Sequence, residues 1–237
     1  MRGWICVRTI SRAKLKITWL QIVIHILGWL PLAWIIFDYL TNKFSVNPIQ
    51  DIEQRLGDIA AYFLIGSLVC TPINTLTGWR EPIKRRRALG LYCFMYVCLH
   101  ILTFIGLDYG FNLRLIGGIV LQKPYAIVGL ATFILLLPLA VTSFRWWMKK
   151  LGRNWHNLHR LVYLAAVLDI LHYAWAKKGN LFTLSGDILR PFLLGVLLLL
   201  LLILRIPPVR RWASNMRQRW ATGLRHRFSR RTGRSVN

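Results

Sequence analysis

The chain has 237 residues, 55% of them apolar, and carries 32 Lys and Arg against 8 Asp and Glu for a net charge of +24. That apolar content excludes a disordered chain, and the length suits a single domain. Charge alone would suggest a nucleic-acid binder, but the apolar residues gather in six stretches of about 20, each enough to cross a bilayer as a helix. The basic residues then read as topology signals and as contacts with anionic lipid. Nucleic acid is not an expected partner.

In chain order, residues 1–16 form a basic N-terminus with Arg2, Arg8, Arg12, Lys14 and Lys16. The first expected span covers 17–39. It is long for the apolar part of a signal peptide and no small-residue cleavage site follows, so a retained helix is expected. Further spans are expected over 57–76, 88–107, 124–144, 157–176 and 188–206. Arg80, Lys84, Arg85, Arg86 and Arg87 fill the loop after the second. Arg145, Lys149, Lys150, Arg153 and Arg160 surround the loop after the fourth, and ten arginines follow from Arg205 onward. The other loops hold most of the acids: Asp38, Asp51, Glu53, Asp108 and Asp187. Basic loops stay in the cytoplasm. The expected fold is therefore an all-α membrane protein of six transmembrane helices, spanning 17–206, with both termini cytoplasmic.

Residues 207–237 form a basic tail. Pro207-Pro208 ends the last span, since proline cannot donate the backbone bond. Trp212, Met216, Trp220, Leu224 and Phe228 then recur every four residues among arginines. This suits a basic helix lying on the membrane surface; the alternative is a disordered cationic tail. No internal repeat is visible. Cys6, Cys70, Cys93 and Cys98 form no CxxC and no zinc-finger spacing. In a span, cysteine behaves as a small hydrophobe.

The histidines carry the chemistry. An imidazole in a membrane span is costly unless it pairs or binds something. His100 lies twelve residues into the third span and His172 fifteen into the fifth. At the helical rise these are roughly 18 and 22 Å from the cytoplasmic side, a matched depth. Two imidazoles at one depth on facing helices suit axial ligation of haem iron. The alternative is a pair of hydrogen-bonding histidines that join helices. His159 is roughly 3 Å inside the same side and could serve a second haem level. On an ideal helix, however, it would point roughly 140° away from His172, so an irregular turn would be needed. His25, about 12 Å into the first span, is a candidate for a ligand, a quinone contact or a helix contact. His156 and His226 lie in a loop and in the tail. Asp169, three residues before His172, shares its helix face and could bond a ligating imidazole or relay a proton. Gly90, Gly106, Ala165 and Ala166 could give a macrocycle room.

No GxGxxG, P-loop or nucleophile–His–acid set is visible, and no soluble region is large enough for a flavin or nicotinamide domain. The electrons would come from a membrane quinol or a separate flavoprotein.

Several blocks together resemble one family. They are RRRALGLYCFMYVCLH (85–100), KPYAIVGL (123–130), LAVTSF (139–144), LGRNWHNLHRLVYL (151–164) and LHYAW (171–175). They are similar to MsrQ (formerly YedZ), the haem-containing membrane subunits of the periplasmic methionine-sulfoxide reductase system, within the ferric-reductase-like transmembrane group. The resemblance runs from about Lys16 to Arg205. It implies a multi-pass protein of the bacterial inner membrane with haem b, one or two, and FMN. It implies electron transfer from the quinone pool or a cytosolic flavin reductase to a periplasmic molybdopterin catalytic subunit, its heterodimer partner, so that catalysis itself would lie on the partner. The family's histidines fall on His100, His172 and His159; Arg86 stands where the wider group has a fourth. The rival readings are a stand-alone ferric or quinone reductase and a non-redox transporter or structural membrane protein. The last would carry broken helices or inverted repeats.

Overall fold

Proline and asparagine set where the long helices begin. Asn47 accepts the backbone N–H of Gln50 at 3.3 Å and Pro48 follows, so the second helix starts well before its apolar stretch. Asp51, Glu53, Gln54 and Arg55 extend it as a polar collar. Gly78, at φ 77°, closes the other end with its N–H on the Asn74 carbonyl. The structure, a computed structural model, describes residues 18–177 and 188–232. Cys6, the basic residues of 1–16, Lys178 and Asp187 lie outside the described residues, as do the side chains of Trp220, Leu224, His226 and Phe228.

The described residues are helical, with no strand among them. In chain order the helices are α1 (Trp19–Leu40), α2 (Pro48–Thr77), α3 (Glu81–Leu102), α4 (Leu113–Gln122), α5 (Pro124–Val141), α6 (Arg145–Leu151), α7 (Arg153–His159), α8 (Val162–Ala176), α9 (Leu189–Ile203) and α10 (Pro207–Thr232). α3 continues as a π-helix over Thr103–Asp108. α1, α2, α3 with this extension, and α5 are long and apolar enough to cross a membrane, with mean hydropathy of 1.6 to 2.2. α9 bends by 82° into α10, and the two together make a fifth if counted as one span.

The described helices thus supply four or five spans by length, against the six expected. The expected fifth span is divided. α7 ends at His159, Arg160 and Leu161 form a turn, and α8 is only 15 residues long. Fifteen residues rise about 22 Å, short of a 30 Å hydrocarbon core.

α2 and α3 form the central antiparallel pair, α5 packs on α8, and α1 lies outside against α3. The core joins Leu64 and Leu68 of α2, Cys93 of α3, Leu136 of α5, Ala165 and Ala166 of α8, and Leu198 and Leu201 of α9. Ala165 and Ala166 are fully buried. Their small size lets neighbouring helices approach closely there. Cys70 and Cys93 are buried free thiols, as expected of small hydrophobes. On α1 the outer face is apolar and exposed: Trp29 and Trp34 keep 56% and 61% of their surface. An exposed aromatic stripe of that kind suits contact with lipid.

The two ends of the bundle differ in charge. At one end Arg205 donates to the Leu68 carbonyl at 2.6 Å and stacks on Tyr163, and Arg217 donates to the carbonyls of Asn74 and Thr75. The last carbonyls of α2 carry the negative end of its dipole, so the Arg217 guanidinium suits them, adding a second donor at Asn74 beside the Gly78 N–H. Arg217→Ala therefore releases α10 from α2. The check is limited trypsin digestion of detergent-solubilised protein, in which the variant should lose its tail several times faster than the parent. At the other end, Arg55 bonds the buried Asp38 at 2.6 Å, and Lys177 and Arg190 approach Asp58 at 3.9 and 3.6 Å.

Candidate functional site

His100 sits in the last turn of α3 and His172 in α8, and the bundle brings their rings together. Their centroids lie 6.2 Å apart at an interplanar angle of 79°. His100 Nδ1 is 2.9 Å from the Glu53 carbonyl on α2, and His172 Nδ1 is 2.7 Å from the Tyr125 carbonyl on α5. A carbonyl only accepts, so each Nδ1 carries the proton. In its neutral form each ring then keeps its lone pair on Nε2.

This is how a metal-ligating histidine is held: the far nitrogen bonds a carbonyl, which fixes tautomer and orientation. The spacing agrees. Two imidazoles that shared one metal ion, each through a bond of about 2 Å with about 1 Å more from nitrogen to ring centre, would have centroids up to about 6 Å apart. No cluster of three or more His, Cys, Asp and Glu able to hold a metal ion occurs among the described residues. Two imidazoles alone are a poor cage, so the pair fits an ion whose remaining ligands come from a macrocycle.

The other expected residues fall elsewhere. Asp169 does not support His172, whose Nδ1 is taken by Tyr125; one carboxyl oxygen of Asp169 is buried with no hydrogen-bond partner. His159, at the end of α7, lies toward the basic end. A turn at Arg160 and Leu161 separates it from α8, the helix that carries His172. Thr142 donates its hydroxyl to Pro138 at 2.6 Å and stands 3.2 Å from His159 Nε2. With its one proton spent, Thr142 accepts from Nε2–H, leaving Nδ1 as the free nitrogen. Trp155 lies over the ring at 4.1 Å and donates to the Thr142 carbonyl. The charged neighbour from α3 is Arg86. His25 bonds the Tyr92 hydroxyl at 2.7 Å and is a helix contact between α1 and α3.

Two features of the site are not legible in the sequence. The π-helix begins three residues after His100; such turns occur often at functional sites. The second is a repeat. Each bonded histidine lies 47 residues beyond its carbonyl, and a glycine follows that carbonyl by four residues in both cases, Gly57 after Glu53 and Gly129 after Tyr125. α2–α3 and α5–α8 are thus equivalent pairs. Both α2 and α5 start at the histidine end, so the repeat is parallel, not the inverted kind of a transporter. It escapes inspection of the sequence because it preserves backbone positions and two residue types, not a motif.

Comparison with known proteins identifies the family. Residues 56–170 match the ferric reductase like transmembrane component family. The chain is 41% identical over 196 residues to the protein-methionine-sulfoxide reductase heme-binding subunit MsrQ of Rhodospirillum rubrum, covering 82% of this chain and 91% of that one. The chain belongs to the MsrQ family. The MsrQ proteins of Herminiimonas arsenicoxydans and Cronobacter sakazakii are 38% and 35% identical, over 81% and 83% of this chain and 86% and 96% of their own length. As a member of a family built on a ferric-reductase-like transmembrane component, this MsrQ homologue is a membrane protein. The matched region contains Gly57, His100, Tyr125, Gly129 and His159; His172 lies two residues past it.

Proposed function

We propose that the chain is the b-type haem subunit of a methionine-sulfoxide reductase system, passing electrons across the bacterial inner membrane. The observation that carries this is the His100–His172 pair, with both Nδ1 atoms on backbone carbonyls and a spacing suited to one iron between them. The relatives' name, heme-binding subunit, supports it. In this reading six membrane segments cross the bilayer, α7–α8 forming the fifth and α9 the sixth. The basic end and both termini face the cytoplasm, and α10 lies along the surface. His100 and His172 then stand on the periplasmic side.

The haem supplies a one-electron couple. The chain's part is to hold two neutral imidazoles in fixed orientation, to keep water from them and to set their basicity through the Glu53 and Tyr125 carbonyls. His159 is the candidate ligand of a second, cytoplasmic-side haem; it would offer Nδ1, or Nε2 after giving up Thr142. The arginines at that end (Arg85, Arg86 and Arg205) suit haem propionates or the phosphate of FMN. The proposed donor is the quinone pool or a cytosolic flavin reductase, and the proposed acceptor a periplasmic molybdopterin catalytic subunit. A stand-alone ferric or quinone reductase is the second reading, favoured by the ferric-reductase-like match alone.

The test is an absorption spectrum of detergent-purified protein from haem-replete cells, before and after dithionite. The expected result is a sharp Soret band with narrow reduced α and β bands, the mark of six-coordinate haem b. A colourless protein refutes the reading. Reoxidation of the reduced protein by the molybdopterin partner but not by ferric chelates separates the subunit from the stand-alone reductase.

A further inference from the structure

The two ligand-holding pairs are equivalent in position but not in tightness. A Cβ built on Gly129 would lie 2.7 Å from both Cε1 and Nδ1 of His172. One built on Gly57 would lie 3.5 Å from the same two atoms of His100, an ordinary contact. The reason for a glycine here follows from helix geometry. The carbonyl of residue i points at the N–H of residue i+4. A side chain from another helix that reaches that carbonyl must pass over residue i+4. Gly129 is residue i+4 to Tyr125, as Gly57 is to Glu53, and only glycine leaves the backbone bare for a close approach.

We infer that Gly129 is the positioning residue for His172, the surface on which its imidazole rests while Nδ1 holds the Tyr125 carbonyl and Nε2 is left for the iron. This rests on the reading of that pair as haem ligands. An imidazole tied at neither nitrogen would swing away from a new methyl at small cost. One tied at both cannot, since moving 2.7 Å contacts to van der Waals distance shifts the whole ring. A methyl added at position 129 therefore acts on ligand orientation rather than on folding. At position 57 the ring already stands at contact distance, so the same change is tolerated. Of two glycines at equivalent positions, only Gly129 leaves no room for a methyl.

The experiment compares the full-length parent, Gly57→Ala and Gly129→Ala in detergent, by haem content, the low-spin ferric electron paramagnetic resonance signal and the haem midpoint potential. The parent and Gly57→Ala should share one low-spin signal and one potential. Gly129→Ala should elute as the parent does but lose most of that signal, with high-spin haem in its place and a shifted potential. His172→Gly and the double variant Gly129→Ala, His172→Gly are then given free imidazole. An untethered ring can seat itself beside the added methyl, so both should regain the low-spin signal. Gly129→Ala with the parent's signal and potential overturns the inference and leaves the haem reading intact. Failure to rescue the double variant, where His172→Gly alone is rescued, also overturns it, because the added methyl would then act on the fold. A parent without low-spin haem overturns the haem reading and this inference with it.

Discussion

His100→Ala and His172→Ala should each abolish the six-coordinate haem while leaving the protein inserted in the membrane. In the proposed site each imidazole would supply one of two protein ligands, and each is held by its carbonyl. Losing an outer-shell partner alone lowers metal affinity by roughly 10–100-fold, and losing the ligand itself should cost more. The vacated carbonyl, Glu53 or Tyr125, keeps its helical partner, so little folding penalty is expected. Neither histidine belongs to the core cluster around Leu68 and Cys93. The measurement is haem per protein by pyridine haemochromogen, with membrane insertion followed by extraction and gel filtration. Normal haem content in both variants would remove the pair from the site. His159→Ala, at the other end of the bundle, should leave this signal unchanged and diminish only a second haem.

Gly28→Ala should detach α1 without touching the histidine pair. A methyl on Gly28 would overlap the ring of Tyr92, whose hydroxyl bonds His25 and whose edge meets Trp29. The Gly28 carbonyl also accepts the hydroxyl of Tyr96, a fully buried side chain, at 2.7 Å. Overpacking a tight contact costs about 1–3 kcal/mol, and each of the two hydrogen bonds put at risk adds about 0.5–1.5 kcal/mol. An apparent Tm lower by on the order of 5–10 °C in detergent is expected. Tyr92→Phe keeps the ring and loses only the His25 bond, so it should fall by less. The haem spectrum of Gly28→Ala, read below its Tm, should match the parent, because α1 contributes nothing to the pair. An unchanged Tm would mean that α1 is not seated through Gly28.

How far the site is legible in the sequence depends on the kind of regularity involved. Helical rise is nearly invariant, so counting from loop to His100 and from loop to His172 puts both at one depth, and the rings do meet. The same arithmetic puts His159 roughly 140° from His172 on one ideal helix, whereas a turn at Arg160 and Leu161 divides the two residues between α7 and α8. What fails is whatever depends on partners. Asp169 shares a helix face with His172, yet the imidazole bonds a carbonyl 47 residues earlier. Ala165 and Ala166 lie in the buried core among α2, α3, α5 and α9. α2 begins at Pro48, since polar residues continue a helix that a hydropathy reading ends.

By itself, then, the sequence determined the apolar segments, their basic and acidic flanks, and the depth of each histidine, because these follow from local chemistry and a fixed rise per residue. Only the tertiary structure decided which nitrogen of each histidine is free, which carbonyls hold the rings, and why Gly129 rather than Gly57 leaves no room for a side chain. Those are contacts between helices distant along the chain, set by how the bundle packs, and no local pattern encodes a 2.7 Å approach.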